Sequence, residues 1–376
     1  MSNSANHRKL SPKVITLIIA ALSIIITLIA LLVAPFPIDF EVSAISAIDN
    51  NVIYVDNGTD FPYLYKADSE GGFSGQDLKV VVFSDTHITS SLSDAYSNNR
   101  TITMLRKNIE EEQPDFVIFT GDIITGAFTK NRAIDLAEMM EEYNIYWAVV
   151  YGNHDTEHFT ALSREELTAL WSSYAHCLLR KGTTEGYGNY IVNIKTAENT
   201  VSESLIFMDS GAYLSEEDMA TYNVENGYDY IKPAQIEWYH KSIIELQTTY
   251  GENIKSLLFF HIPLPEYEDA YNEGEVLSGN KLEDVSGSIH NSGMFDAIVE
   301  EGSTQAIFVG HDHINDYDAL YLGVHCIYNQ ASGYSTYDVV HSLGYSDSER
   351  LQGCSVITIH SDGSFDMIKK LNTRFN

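Results

Sequence analysis

The sequence predicts a layered α/β fold preceded by one membrane-spanning helix. Three observations carry that expectation. Short runs rich in β-branched and aromatic residues alternate with helical stretches from residue 78 onward, an order that builds sheets covered by helices. Several of these runs end in a brief loop that carries Asp, His or Asn. Residues 14–34 form a stretch of 21 residues without a charge.

That apolar stretch, VITLIIAALSIIITLIALLVA, matches the ~20 residues a helix needs to span a bilayer core. Pro35 and Pro37 stop the helix, because proline cannot continue one. Arg8, Lys9 and Lys13 precede it, and basic flanks favour the cytoplasmic side. The expected organisation is a basic cytoplasmic tail over 1–13, a signal-anchor helix over 14–34, a juxtamembrane segment over 35–76, and an extracytoplasmic domain over 77–376. A cleaved signal peptide is the alternative, which would make the domain secreted. Signal h-regions usually run ~7–15 residues, and Leu32-Val33-Ala34 is a poor cleavage site.

A short hairpin is expected between Val52 and Lys66. Strands follow at LKVVVF (78–83), DFVIFT (115–120) and IYWAVVY (145–151), with helices near 98–112 and 131–143 between them. Ser163 and Glu166 form a capping box that opens a helix. YIVNI (190–194) and LIFMDS (205–210) read as a strand pair, and Pro233 opens a helix to about Tyr250. SLLFFH (256–261) and QAIFVG (305–310) are strands around a helix near 292–301. HCIYN, SVITIH and SFDMIKK close the chain as strands. The segment 262–291 is long and polar, and a loop of that length suits a lid that shapes substrate choice.

Apolar residues make up 44% and charged residues 20%, so a packed globular core is expected rather than disorder. The net charge is −31; beyond residue 34 there are 19 basic and 53 acidic side chains. Such a field repels nucleic acid. It also repels phosphate esters at long range, so an anion site here needs strong local positive charge, which bound metal ions supply. Cys177, Cys326 and Cys354 form no CxxC pair, which argues against a zinc ribbon or thioredoxin-type site. One disulfide with a free thiol, or three buried thiols, both fit the count.

The chemistry-bearing residues recur at strand ends. They are Asp85 and His87 in SDTH, Asp122 in GD, Asn153, His154 and Asp155 in GNHD, the lone His261, and His311 and His313 in GHDH. In α/β sheets, ligands gather at the carboxyl ends of strands. Imidazole and carboxylate together suit Zn, Fe or Mn. In D-x-H and H-x-H, alternate residues of an extended chain face one way, so each pair can converge on one ion. Glycine before Asp122, Asn153 and His311 permits sharp turns.

This ordered set resembles the calcineurin-like metallophosphoesterase superfamily over about residues 78–330. FFHIPLPEY (259–267), NSGMFDAI (291–298) and GHDHINDY (310–317) look like its small purple-acid-phosphatase-like branch of fungi, plants and microbes. The resemblance implies a four-layer αββα sandwich of two mixed sheets flanked by helices. It implies two divalent or mixed-valence metal ions of Mn, Zn or Fe. Asp85, His87, Asp122 and His313 would hold the first, and Asp122, Asn153, His261 and His311 the second. It implies hydrolysis of phosphate esters, with monoesters favoured over diesters or pyrophosphates, by a metal-bridging hydroxide. His154 would assist the leaving group and Asp155 would orient His154. Thr125 stands where purple acid phosphatases have an iron-binding tyrosine, which puts iron in doubt. His158 is a lesser phosphate-contact candidate. Asn315, Asp316 and Tyr317 are expected behind His313.

Overall fold

The computed structural model describes residues 11–33, 46–49 and 51–371. The basic tail up to residue 10 and the Pro35–Pro37 stop lie outside them. Helix α1 (Pro12–Val33) is apolar over its length, and residues 12–30 make no buried contact with the rest of the fold. Its length and composition suit a membrane span.

The strands in chain order are β1 (Val52–Val55), β2 (Tyr63–Lys66), β3 (Leu78–Phe83), β4 (Ile88–Thr89), β5 (Phe116–Thr120), β6 (Ile124–Thr125), β7 (Tyr146–Val150), β8 (Tyr190–Ala197), β9 (Thr200–Phe207), β10 (Ser256–Phe259), β11 (Glu275–Ser278), β12 (Thr304–Val309), β13 (Asp318–Tyr321), β14 (Val324–Tyr328), β15 (Gly353–Ile359) and β16 (Phe365–Leu371). The helices after α1 are α2 (Ala95–Glu112), α3 (Lys130–Tyr143), α4 (Arg164–Trp171), α5 (Glu216–Tyr222), α6 (Pro233–Tyr250), α7 (Glu266–Glu273), α8 (Met294–Glu301) and α9 (Val339–Leu343).

Two mixed sheets result. One has nine strands in the order β1-β2-β8-β9-β10-β12-β14-β13-β11, the other five in the order β16-β15-β3-β5-β7. Period-two alternation explains how they stack. On the large sheet, Phe207, Phe259, Phe308 and Ile327 face the smaller sheet's core, while Ile206, Leu258, Ile307 and Tyr328 face α6 and α8. The inner row is largely aromatic: Tyr190, Phe207, Phe259 and Phe308 stack in sequence at centroid distances of 4.6, 5.3 and 4.9 Å. The smaller sheet buries β3, β5 and β7 against α2 and α3. The layer order is helices, five strands, nine strands, helices, as the resemblance implied.

Capping follows the sequence. Ser163 accepts from Glu166 N, Glu166 accepts from Ser163 N, and Pro233 begins α6. Cys177, Cys326 and Cys354 are free and buried.

Two expectations change. The hairpin β1–β2 is part of the domain, because β2 pairs in parallel with β8 and Ile48 N donates to Tyr143 O. The fold therefore takes in chain well before residue 77. The segment 262–291 is no structureless lid. It holds α7 and β11, and β11 pairs antiparallel with β13. Tyr267 from α7 is fully buried, and its hydroxyl donates to Ile307 O.

Candidate metal centre

The carboxyl ends of β3, β5, β7, β10 and β12 meet on one rim. The loops after β3 and β5 are laced together, with Asp85 N donating to Gly121 O (3.0 Å) and His87 N to Asp122 O (2.9 Å). The two-residue ladder β4–β6 continues that pairing. The loops are tight. Asp85, His87, Asp122 and His311 all have positive φ, at 50°, 43°, 49° and 77°. Non-glycine residues in that region cost on the order of 1–3 kcal/mol each and cluster at functional sites. A Cβ at Gly152 would overlap the Asp122 carboxylate, and one at Gly310 would overlap Ser84 and Asp85. Glycine is needed at both for the loops to approach.

Six residues form two buried triads, Asp85–His87–His313 and Asp122–His261–His311, each with its donor atoms within 4.8 Å of one another. The triads adjoin. Asp122 Oδ2 lies 3.2 Å from His261 Nε2 and 3.5 Å from His87 Nε2, so this one carboxylate faces both. Asp85 Oδ1 lies 3.4 Å from His313 Nε2 and 3.9 Å from His87 Nε2. Ring orientation is fixed from behind. His261 Nδ1 donates to Thr120 O (2.8 Å), which leaves Nε2 for the site. His313 Nδ1 sits 3.2 Å from Thr336 Oγ1, and its ring stacks on Tyr337 at 4.2 Å. Tyr228 meets His311 edge-on at 4.3 Å.

The donor set fits metal ions. His87 Nε2, His261 Nε2 and Asn153 Oδ1 are buried without a hydrogen-bond partner. Buried polar atoms are normally paired, and two orphaned imidazole nitrogens converging on Asp85 and Asp122 are explained by cations. All donors are N or O, which suits Zn, Mn or Fe over a thiolate site.

Electrostatics divides the histidines. Burial pushes His87 down to about 4 and, with the charge of His261, His311 down to about 3. Burial also opposes charge on His261, but Asp122 outweighs it and raises the ring to about 10. His313 is likewise raised, burial being outweighed by its hydrogen bond to Asp85. Asp85 and Asp122 stay low despite burial, because His313 and His261 hold them ionised.

Asp155 was expected to orient His154, and its contacts lie elsewhere. Its carboxylate accepts from the backbone N–H of Gly152, Asp122, Ile123 and Ile124 at 2.7–3.1 Å. It ties the GNHD loop to the GD loop. The partner of His154 is Glu157, with Nδ1 to Oε2 at 2.5 Å. His154 N donates to Asp122 Oδ1 (2.8 Å). Asn153 is buried, its Nδ2 donating to Tyr213 O–H at 3.1 Å and its Oδ1 left without a partner. Asn315 and Asp316 do not support His313. They accept from the backbone of Leu282, Glu283 and Asn280, and Tyr317 O–H donates to Tyr267 O. His158 turns to Thr160 and lies tilted against Phe159. Thr125 lies in β6 against Thr89.

A cleft of about 210 Å³ opens over the triads, lined by His87, His154, Tyr228, Ser286, His311 and Tyr337 among others. Arg164 ties the loop after β7 to the loop after β9, donating to Gly152 O and Gly211 O and pairing with Asp209. Sequence reasoning missed Glu157, Arg164, Tyr213, Tyr228 and Tyr337. Only Glu157 had a local signal, three residues past His154. The others sit in loops without a motif.

The calcineurin-like phosphoesterase family model matches residues 78–315, which contains every residue of both triads. The chain belongs to the calcineurin-like phosphoesterase family. Among its relatives, an Arabidopsis thaliana protein described as probable inactive purple acid phosphatase 28 is 34% identical over 263 residues, covering 64% of each chain. Probable inactive purple acid phosphatase 29 from the same plant is 28% identical over 332 residues, covering 79% of this chain and 81% of its own. Phosphatase DCR2 of Saccharomyces cerevisiae is 31% identical, covering 64% of this chain but 44% of its own length. The chain thus spans about two thirds or less of two of these three relatives. A dimetal phosphatase from Danio rerio shares the fold, with a TM-score of 0.51 at 14% identity over 79% of this chain and 96% of that one. Family, fold and ligand clusters together support a metal-dependent phosphoesterase with two metal-binding sites.

Proposed function

We propose that this member of the calcineurin-like family hydrolyses phosphate esters, monoesters first among them, at a dinuclear centre outside the membrane. The observation that carries the reading is the pair of adjoining triads with orphaned, inward-facing donors. Asp85, His87 and His313 would hold one ion and Asn153, His261 and His311 the other, with Asp122 between them. When bound, such a pair supplies Lewis acidity and an activated water for attack on phosphorus.

The chain's own groups do the rest. His87 and His311 are neutral at physiological pH, so they are ready to coordinate. His154 borders the cleft with Nδ1 engaged, so Nε2 is the atom that hands a proton to the leaving oxygen. Tyr228 and Tyr337 wall the cleft and hold the rings of His311 and His313. The acidic surface favours no nucleic acid. The helix α1 supports a single-pass anchor with the domain on the extracytoplasmic side, the basic residues before it marking the cytoplasmic end.

A second reading is a non-catalytic binding domain on the same scaffold, favoured by two relatives being described as probable inactive. One experiment separates them. Detergent-solubilised full chain is loaded with Mn, Zn, Fe, Mg or Co and given aryl monoester, aryl diester and nucleotide substrates. Turnover that a chelator abolishes is expected, fastest on the monoester. No turnover in protein carrying two metals per chain favours the binding domain.

A further inference from the structure

Four polar side chains form a chain of hydrogen bonds from Asn153 to the proposed acid. Asn153 Nδ2 donates to Tyr213 O–H (3.1 Å), Tyr213 O–H reaches Glu157 Oε1 (2.9 Å), and Glu157 Oε2 meets His154 Nδ1 (2.5 Å). We propose that Tyr213 and Glu157 are positioning residues that set Asn153 for a metal ion and His154 for the leaving group at the same time. The inference rests on the phosphoesterase reading of the site.

The polarity of the chain follows from what each group can do. An ionised carboxylate only accepts. Glu157 Oε2 therefore fixes the proton of His154 on Nδ1, and Nε2 is left for the cleft. Glu157 Oε1 takes the single proton of the Tyr213 hydroxyl. The Tyr213 oxygen can then only accept from Asn153, so the Asn153 amide must present Nδ2 to it. That turns Oδ1, which is buried and without a hydrogen-bond partner, away from Tyr213 and leaves it available to a metal ion. One carboxylate thus settles two assignments that the neighbouring residues would otherwise leave open, an amide orientation and an imidazole tautomer.

Packing holds the chain in place. Tyr213 stacks on Tyr228 at 5.9 Å, and Tyr228 meets His311 of the second triad. Asp122 fixes the intervening backbone by accepting from His154 N. Glu157 and Tyr213 come from separate loops, so the contact exists only in the folded protein.

The proton step is simple in balance. His154 in its doubly protonated form passes the Nε2 proton to the ester oxygen as the P–O bond breaks, and the ring is left neutral, keeping its Nδ1 proton in the hydrogen bond to Glu157. The step matters most for poor leaving groups. The test uses the metal-loaded full chain in detergent with an alkyl phosphate, which needs a proton, and a dinitrophenyl phosphate, which needs little help. In Glu157→Gln, kcat on the alkyl ester is expected to fall at least ~10-fold further than on the dinitrophenyl ester. Equal losses on both, or none, overturn the proposal. Tyr213→Phe is expected to lower metal affinity by ~10-fold, read by calorimetry, in line with other groups that orient ligands; unchanged affinity counts against it. Nitrogen-15 NMR of histidine-labelled protein reads the tautomer directly, with His154 assigned by its loss in His154→Ala. Protonated Nδ1 is expected in the wild type, and an Nδ1 without a proton overturns the assignment even in a chain that proves inactive. An inactive wild type with the expected tautomer sinks the phosphoesterase reading and leaves the relay standing.

Discussion

At the scale of single residues, the GNHD loop separates roles that adjacent positions in the sequence do not. Asn153 bonds Tyr213, His154 borders the cleft, and Asp155 turns away into four backbone N–H groups. His154→Ala is expected to keep both metals, as judged by metal analysis, and to lower kcat by ~10²–10⁴. Asp155→Ala leaves four buried amides without an acceptor. Its expected effect is a loss of stability on the order of 2–4 kcal/mol in denaturant unfolding. A variant of normal stability and low kcat would restore the idea that Asp155 serves His154.

Protonation gives a further prediction at the same scale. His261, raised to about 10, carries a proton at neutral pH before a metal arrives, and His313 is shifted in the same direction. Ligation requires neutral imidazole, so binding must release protons and affinity must rise with pH. His87 at about 4 and His311 at about 3 are already neutral and add no dependence above about pH 5. Calorimetry in buffers of different ionisation heat should find at least one proton released per chain at pH 7. Zero release would contradict this charge distribution.

At the scale of elements, the segment after β10 shows how a polar stretch of sequence can be part of the core. Helix α7 inserts Tyr267 beneath the large sheet, and β11 becomes its edge. Beyond β11, Glu283 accepts from Ile314 N and Tyr337 O–H, and Asp312 accepts from Ser286 N. This stretch therefore clamps the GHDH loop. Tyr267→Phe removes the hydroxyl bond and is expected to cost about 1 kcal/mol in unfolding experiments. Tyr267→Ala is expected to cost about 3–5 kcal/mol, as for other large buried side chains.

At the scale of the molecule, the nine-stranded sheet begins with the β1–β2 hairpin. A chain beginning at residue 77 would lose that hairpin and expose β8 as an unpaired edge, which invites aggregation. Chains beginning at residues 46 and 77 can be compared by size-exclusion chromatography. The longer one is expected to be monodisperse and the shorter one to aggregate.

Much of this architecture was readable from order and period alone. The buried strands after residue 78 are continuous apolar runs, and α4 and α6 open on a capping box and on a first-turn proline respectively. Local signals of that kind survive folding because they describe backbone energetics within a few residues. The hairpin's membership in the sheet was not readable, because β2 pairs with β8 across more than a hundred residues of sequence. The partners of His154 and Asp155 were hidden for a similar reason. Several carboxylates lie close in sequence, and only the curl of the loop decides which reaches the ring.

By itself the sequence determined the two carboxylates and four imidazoles that cluster at the ends of four strands, with an apolar helix ahead of them. Residue type fixes which atoms can bind a metal and which can move a proton. The tertiary structure decided how those atoms share the work. It set Asp122 between two triads, gave His154 to Glu157 rather than Asp155, and paired the Asn153 amide nitrogen with Tyr213. Those choices depend on distances of a few ångströms between separate loops, and packing of the whole sandwich sets such distances.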